Sequence, residues 1–428
     1  MVTLSQDLAF RGLIHQLSDE GLLALLDREH LSAYGGFDPS ADSLHIGSLL
    51  LLCNLRRLQL AGHRPIALAG GATGFIGDPG GKSEERNLLS AEQLEANLAG
   101  IRPQLERFLD FSPGTGAARA QLVNNADWLG TVGLVTFLRE IGKHVTVNQM
   151  VTRESVRARL ERPDQGISYT EFSYMLLQAA DFLHLYEAEG CRLQLGGSDQ
   201  WGNIVTGVDL IRRVHGATAY ALTSPLVLRA DGTKMGKSEG GALWLDARKT
   251  SPFAFYQYLY RSEDAVVGAY LRYFTFLGHE EILELDAATA DHPERRAAQR
   301  ALARAVTTLV HGEQETARVE MAAEALYTED VWKLDAATLE MALEGAPATT
   351  LARTALEGEG LDVVEALVRS GLCGSKSQAR TTVAQGGAYV NNRRVGAIEE
   401  RISGADVLEG GFVLLRRGRR ELHLLRFA

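Results

Sequence analysis

The sequence predicts an α/β protein in which a parallel sheet covers the first two hundred or so residues, followed by a helical stretch and a small C-terminal α+β module. Three observations carry this. Short apolar runs that stop in glycines, such as Pro65 to Ala69, read as buried parallel strands, and they alternate with helical patterns as far as Arg192 to Leu195. From Ser251 to about Glu344 the pattern is helical, charged and rich in alanine. Leu361 to Ala428 then holds eleven Lys and Arg against seven Asp and Glu, a net +4 within a chain of net −10, so the remainder carries −14.

The elements follow in order. Leu4, Leu8, Leu17, Leu22, Leu23, Leu25 and Leu26 punctuate a helical lead-in. Tyr34 to Leu49 begins with turn-prone Gly35, Gly36 and Pro39 and runs into the apolar stripe Leu49 to Leu52, which is a loop feeding a helix. Ser90 with Gln93 makes a capping box for a helix through about Phe108, and Gln121 to Val123 is the next strand. Ser251 caps a helix with Pro252 in its first position. Ala346 to Gly360 loses periodicity, so the expected domains are 1–250, 251–345 and 361–428, with 346–360 as linker. Asn391-Asn392 and Gly418 would turn two hairpins.

Composition excludes several classes. At 428 residues with 45% hydrophobic content the chain can bury more than one core, and its net charge argues against a surface built throughout for nucleic acid. Cys53, Cys191 and Cys373 are far apart, so they signal neither a disulfide framework nor a zinc site, and no protein-bound metal is expected. Without a signal-peptide pattern or a membrane-length apolar run, the expected place is the cytoplasm and no membrane partner is expected.

Ligand-binding signals fall where a parallel sheet places ligands, beyond the carboxyl ends of its strands. Gly36, Ser40, His45 and Gly47 surround a helix N-terminus, whose free N–H groups and positive dipole end suit a polyphosphate. Lys234 and Lys237, three apart in a short segment with Gly232 and Gly236, form a mobile cationic clamp; by itself such a segment is also a solvated loop. The glycine run Gly70 to Gly81, followed by Lys82 and Arg86, fits a ligand loop better than a plain turn. Tyr174, Gln178 and Asp181 stand at i, i+4 and i+7 and share one helix face, either as a binding surface or as an internally bonded polar stripe.

The His45-Ile46-Gly47-Ser48 and Lys234-Met235-Gly236-Lys237-Ser238 runs, in this order, resemble the HIGH and KMSKS signatures of class I aminoacyl-tRNA synthetases. Tyr-x-Gly-x-Asp-Pro at Tyr34, the run at Gly70 to Pro79 and Gly-Gly-Ser-Asp-Gln-Trp-Gly-Asn at Gly196 to Asn203 narrow the resemblance to the bacterial tyrosyl enzymes, over essentially the whole chain. In the tail, Gly371 to Arg380 and Gly387 to Asn392 resemble the RNA-binding module named after ribosomal protein S-four.

The resemblance implies a Rossmann-like catalytic domain that activates L-tyrosine with ATP, accompanied by Mg2+ as part of the substrate complex, and then passes the tyrosyl group to tRNA(Tyr). It also implies a homodimer. By matching motif positions, Ser40, His45, Lys82, Arg86, Lys234 and Lys237 would stabilise the phosphates in the transition state. Tyr34 and Asp181 would meet the substrate phenol, Asp78, Tyr174 and Gln178 its ammonium group, and Gln200 its carboxyl. Gly36, Asp38, His45, Gly47, Asp199 and Lys237 would serve the nucleotide. Two positions depart from the signatures: Ser48 stands for histidine and Gly236 for serine. The competing readings are a tryptophan-specific relative, against which Tyr34 speaks, and a non-catalytic RNA-binding protein with a synthetase-like body, against which intact His45, Lys234 and Lys237 speak. A small-molecule nucleotidyltransferase would share the His-x-Gly loop but would have no use for the basic tail.

Overall fold

The computed structural model describes every residue except 1, 79–88, 154–155, 158–159, 161–165, 239–240, 327 and 419–420, together with the side chains of 237 and 238. The chain divides into two compact units, one formed by 1–250 with 259–306 and the other by 251–258 with 307–428. The helical stretch expected as a domain of its own, 251–345, is therefore shared between them. Within the first unit the reason is visible: the buried guanidinium groups of Arg11 and Arg57 both donate to the carbonyl oxygens of Arg272 and Thr275, at the end of the helix Asp264–Phe274.

The first unit is built on a six-stranded sheet of β1 (Gln16–Leu17), β2 (Ser32–Phe37), β3 (Arg64–Ala69), β4 (Gln121–Asn124), β5 (Cys191–Gly197) and β6 (Tyr220–Ser224), in the order β1-β6-β5-β2-β3-β4. All neighbours are parallel except β1, which pairs antiparallel with β6 at the edge. Successive strands run outward on one side from β2 and on the other from β5. The order reverses between these two, which makes their carboxyl ends the natural binding crevice. β3 shows why the run from Pro65 was legible: five consecutive residues are buried, as a central parallel strand requires.

The lead-in differs from the continuous helical expectation. Helices Leu4–Phe10 and Leu22–Leu26 flank β1. Gly12 at φ 66° ends the first, and the His15 N–H then donates to Thr223 O, which starts the antiparallel edge.

Three helices position the site. Ile46–Leu60 starts at His45, whose ring caps it, and buries Leu49, Leu52, Cys53 and Leu55. Tyr169–Glu189 is capped by Ser168 and stops at Gly190 in the left-handed region; its Ala179, Phe182 and Leu183 join Tyr34, Ile66 and Leu68 in one core cluster. Trp201–His215 follows β5 after the single turn Ser198–Gln200. The helix Ala91–Phe108 has half of the expected capping box. Ser90 accepts from the Gln93 N–H, but the Gln93 side chain turns to Asn97 instead. No helix among the described residues is long and apolar enough to cross a membrane.

In the second unit, strands Arg393–Arg394, Ala388–Val390, Phe412–Arg417, Glu421–Phe427 and Ala348–Leu351 form one sheet in that order. The segment expected as a linker thus contributes a strand. Ala348–Leu351 lies parallel to Glu421–Phe427, Leu424 N–H donates to Pro347 O, and Thr349 Oγ1 meets His423 Nε2 at 2.9 Å. Its partner is more than seventy residues away, so no local pattern announces it. The Asn391-Asn392 turn is as expected, with both residues at positive φ between the paired Val390 and Arg393. Val363, Leu367, Ala379, Val390, Val413 and Leu425 anchor a hydrophobic core confined to this C-terminal part.

Candidate active site

A cavity of about 560 Å³ opens at the carboxyl ends of β2 and β5. Its lining brings together Tyr34, Gly36, Asp38, Ser40, His45, Gly47, Asp78, Tyr174, Gln178, Asp181, Asp199, Gln200 and Lys234. Lys82 and Arg86 lie outside the described residues, as does the side chain of Lys237.

The deep end is apolar with a few polar atoms. Tyr34 on β2 is 1% exposed, and its ring lies 5.3 Å from that of Phe182. Asp181, 2% exposed, projects from the helix Tyr169–Glu189 and accepts from Trp128 Nε1 at 2.8 Å and from Asn125 Nδ2 at 2.9 Å. Burial pushes its carboxyl up to about 7, opposed by these two donors. Tyr34 Oη has no hydrogen-bond partner among the described residues, and neither has Oε1 of Gln194, its register neighbour on β5. Two orphaned atoms beside a carboxylate with two neutral donors make an environment that a ligand hydroxyl would satisfy.

The middle is acidic. Asp38 accepts from Tyr174 Oη at 2.8 Å and from Thr73 Oγ1 at 2.8 Å, so this carboxylate, expected at the nucleotide, is tied to the helix face expected at the amino acid. Burial raises the Tyr174 phenol well above its ordinary value, and the charges of Asp38 and Asp78 add to the effect. Gln200 Nε2 donates to Asp78 Oδ2 at 2.5 Å. Thr73 also accepts from Asn125, joining the acidic middle to Asp181 through one network.

The mouth is made by the helix N-terminus and the lysine segment. His45 Nδ1 accepts from the Gly47 N–H at 3.0 Å, which leaves the proton of the neutral ring on Nε2. Gly47 permits this fold-back, since a Cβ there would stand 2.7 Å from the imidazole. Lys234 Nζ lies 3.2 Å from Asp199 Oδ2. Ile46 N–H donates to Leu243 O and Leu245 N–H to Leu44 O, both at 2.9 Å, so the chain after the lysines is laddered onto the His45 loop. Gly236, at φ 85°, sits where a Cβ would be 2.4 Å from Ile46 Cγ2. The departure from serine at this position thus has a steric reason in this chain.

Residues 26–328 match the family model for class I tRNA synthetases of the tryptophan and tyrosine type, and 339–425 match that of the tyrosine–tRNA ligase C-terminal domain. The chain belongs to the tyrosine–tRNA ligase family. A tyrosine–tRNA ligase of Roseiflexus castenholzii is 53% identical over all of both chains, and that of Geobacillus stearothermophilus is 50% identical over 99% of each. Among solved structures, the C-terminally truncated mitochondrial tyrosyl-tRNA synthetase of Aspergillus nidulans superimposes with a TM-score of 0.68 at 32% identity, covering 76% of this chain and 95% of its own. The tyrosyl-tRNA synthetase of Archaeoglobus fulgidus complexed with L-tyrosine shares the fold at 18% identity, covering 74% of this chain and 99% of its own, with a TM-score of 0.55.

The sequence alone assigned no individual role to Thr73, Asn125, Trp128 or Gln194, although Thr73, Asn125 and Trp128 stand in the polar loops 73–78 and 124–128 that follow strands. Asn125 and Trp128 carried one signal, their place in a polar loop just beyond a strand. Gln194 carried another, a polar residue inside an apolar strand.

Proposed function

We propose that the chain activates L-tyrosine with ATP to an enzyme-bound tyrosyl-adenylate, releasing pyrophosphate, and then transfers the tyrosyl group to the 3′ end of tRNA(Tyr). The observation that carries this reading is the deep end of the cavity, where the orphaned Tyr34 hydroxyl and the Asp181 carboxylate share a buried floor. A substrate phenol would donate to Asp181 and accept from Tyr34. Phenylalanine would leave the Tyr34 hydroxyl unpaired and Asp181 with its Asn125 and Trp128 donors alone, and the penalty for that gives the discrimination; tyrosyl-tRNA synthetase is itself the standard example of this effect.

Asp78, Tyr174 and Gln178 supply acceptors for the ammonium group in the acidic middle. Gln200 is suited to orient the carboxylate that attacks the α-phosphorus. The reaction asks for alignment and charge neutralisation rather than for a general base. Ser40, the His45 Nε2 proton, Lys234 and Lys237 act on the phosphates as charge moves to the leaving pyrophosphate, with Lys82 and Arg86 as further cations. Gly36, Asp38, Gly47 and Asp199 border the nucleoside. ATP enters with Mg2+ as part of the substrate.

The C-terminal module carries the tRNA contact, since positive charge concentrated on an acidic protein favours a polyanion. A cytoplasmic location belongs to the same proposal. A second copy of the chain is the partner suggested by Leu134 and Val135, 70% and 78% exposed, with Leu138 exposed on the same helix.

Amino-acid-dependent ATP–pyrophosphate exchange, run against all the standard amino acids, tests the reading. Exchange with tyrosine alone is expected. Exchange driven by tryptophan would hand the pocket to the rival, and no exchange would leave only an RNA-binding body.

A further inference from the structure

Asp181 is held by the indole of Trp128, and that indole is itself held. The His184 ring lies on it with centroids 4.3 Å apart and planes 15° from parallel. His184 follows Asp181 by three residues, so one helix face presents both the carboxylate and the stacking ring. Trp128 sits on the one-turn helix Ala126–Leu129, beyond the end of β4, and packs against the core cluster that includes Tyr34 and Phe182. Neither Trp128 nor His184 borders the cavity among its described lining residues.

We infer that His184 is a positioning residue for tyrosine recognition: its ring fixes the plane of Trp128, and thereby the N–H that orients the Asp181 carboxylate toward the substrate hydroxyl. This rests on the proposed role of Asp181. A hydrogen bond weakens steeply as its angle closes, and a short helix leaves an indole rotational freedom that a stacked ring removes. With the indole free to tilt, Asp181 loses one of its two donors and a fixed direction. The effect then falls on tyrosine binding and its discrimination rather than on phosphate chemistry, which takes place at the other end of the cavity.

The test uses the full-length protein in tyrosine-dependent pyrophosphate exchange, with His184→Ala, His184→Phe, Trp128→Phe and the double variant of Trp128→Phe with His184→Ala. His184→Ala is expected to raise the KM for tyrosine roughly three- to tenfold, the range of an aromatic pair. The preference for tyrosine over phenylalanine should fall in proportion, with kcat and the KM for ATP unchanged. His184→Phe, which keeps a stacking ring, should restore both. Once Trp128→Phe has removed the N–H, deleting the His184 ring should cost nothing more. The inference is overturned by an unchanged tyrosine KM in His184→Ala, by equal losses in tyrosine and ATP parameters, by His184→Phe behaving as His184→Ala, or by a full effect persisting beside Trp128→Phe. Asp181→Asn measured in parallel separates the two levels. If it leaves tyrosine selectivity intact, the reading of the pocket fails as well; if it abolishes selectivity while His184→Ala does not touch it, only the role of His184 fails.

Discussion

Lys234 Nζ stands 3.2 Å from Asp199 Oδ2, joining a cation proposed for the phosphates to a carboxylate proposed for the nucleoside. Both side chains are about one-third exposed, so the pair is weak and easily exchanged for a ligand. Lys234→Ala is therefore expected to slow adenylate formation on the order of a hundredfold, as for the loss of one transition-state donor, while tyrosine affinity stays the same. Pyrophosphate exchange beside equilibrium tyrosine binding checks this. A fall in tyrosine affinity with an unaltered rate would remove Lys234 from the phosphates.

Tyr34→Phe separates stability from selectivity. The hydroxyl is buried with no partner among the described residues, so its removal should leave the melting temperature unchanged or raise it. Discrimination against phenylalanine should fall by about 1 kcal/mol, close to fivefold. Thermal melting and exchange with both amino acids give the two readouts. A destabilised variant with intact selectivity would contradict the arrangement at the cavity floor.

Asp181 should cost the protein stability as pH rises. Its folded carboxyl is raised to about 7 from an ordinary value near 3.8, so between these limits the folded state binds more protons than the unfolded one. The contribution is fully favourable below the unfolded value and is lost as pH climbs through the folded value. Asp181→Asn cannot ionise. Its stability relative to the parent should therefore be better at pH 8 than at pH 5, by about 2–3 kcal/mol. Denaturant unfolding at the two pH values checks the difference, in which any lost hydrogen bond cancels. An equal effect at both would mean that the carboxyl titrates normally.

The C-terminal module should be separable, provided the cut respects its sheet. Because Ala348–Leu351 pairs with Glu421–Phe427, truncation after Gly345 removes a whole sheet. Truncation after Gly360 leaves a strand without its partner, and this shorter deletion should be the less stable product. After the Gly345 cut, adenylate formation is expected to continue near its original rate, because every proposed ATP and tyrosine residue lies at or before Lys237. Transfer to tRNA should be lost. In the full chain, aminoacylation should fall steeply with salt while exchange falls less. A truncated protein that charges tRNA as the intact one does would return the tail to a solvated appendage.

The sequence by itself determined what depends on neighbours along the chain. Glycine beside His45, the lysines around Gly236, the apolar run of β3 and the turn at Asn391-Asn392 are local requirements of backbone geometry and burial, and residue type reports them directly. Helical spacing likewise put Tyr174, Gln178 and Asp181 on one face, and all three border the same cavity. Only the tertiary structure decided which polar groups satisfy one another. Asp38 turning to Tyr174, Asp181 held by Asn125 and Trp128, and Ala348–Leu351 completing a sheet with the C-terminal strand all join residues more than fifty positions apart. The order β3-β2-β5 sets which side chains meet at the crevice, and burial sets how far the Asp181 carboxyl is displaced. Neither leaves a periodic trace in the chain, because hydrogen bonding and desolvation act through space, between segments whose proximity exists only once the sheet has formed.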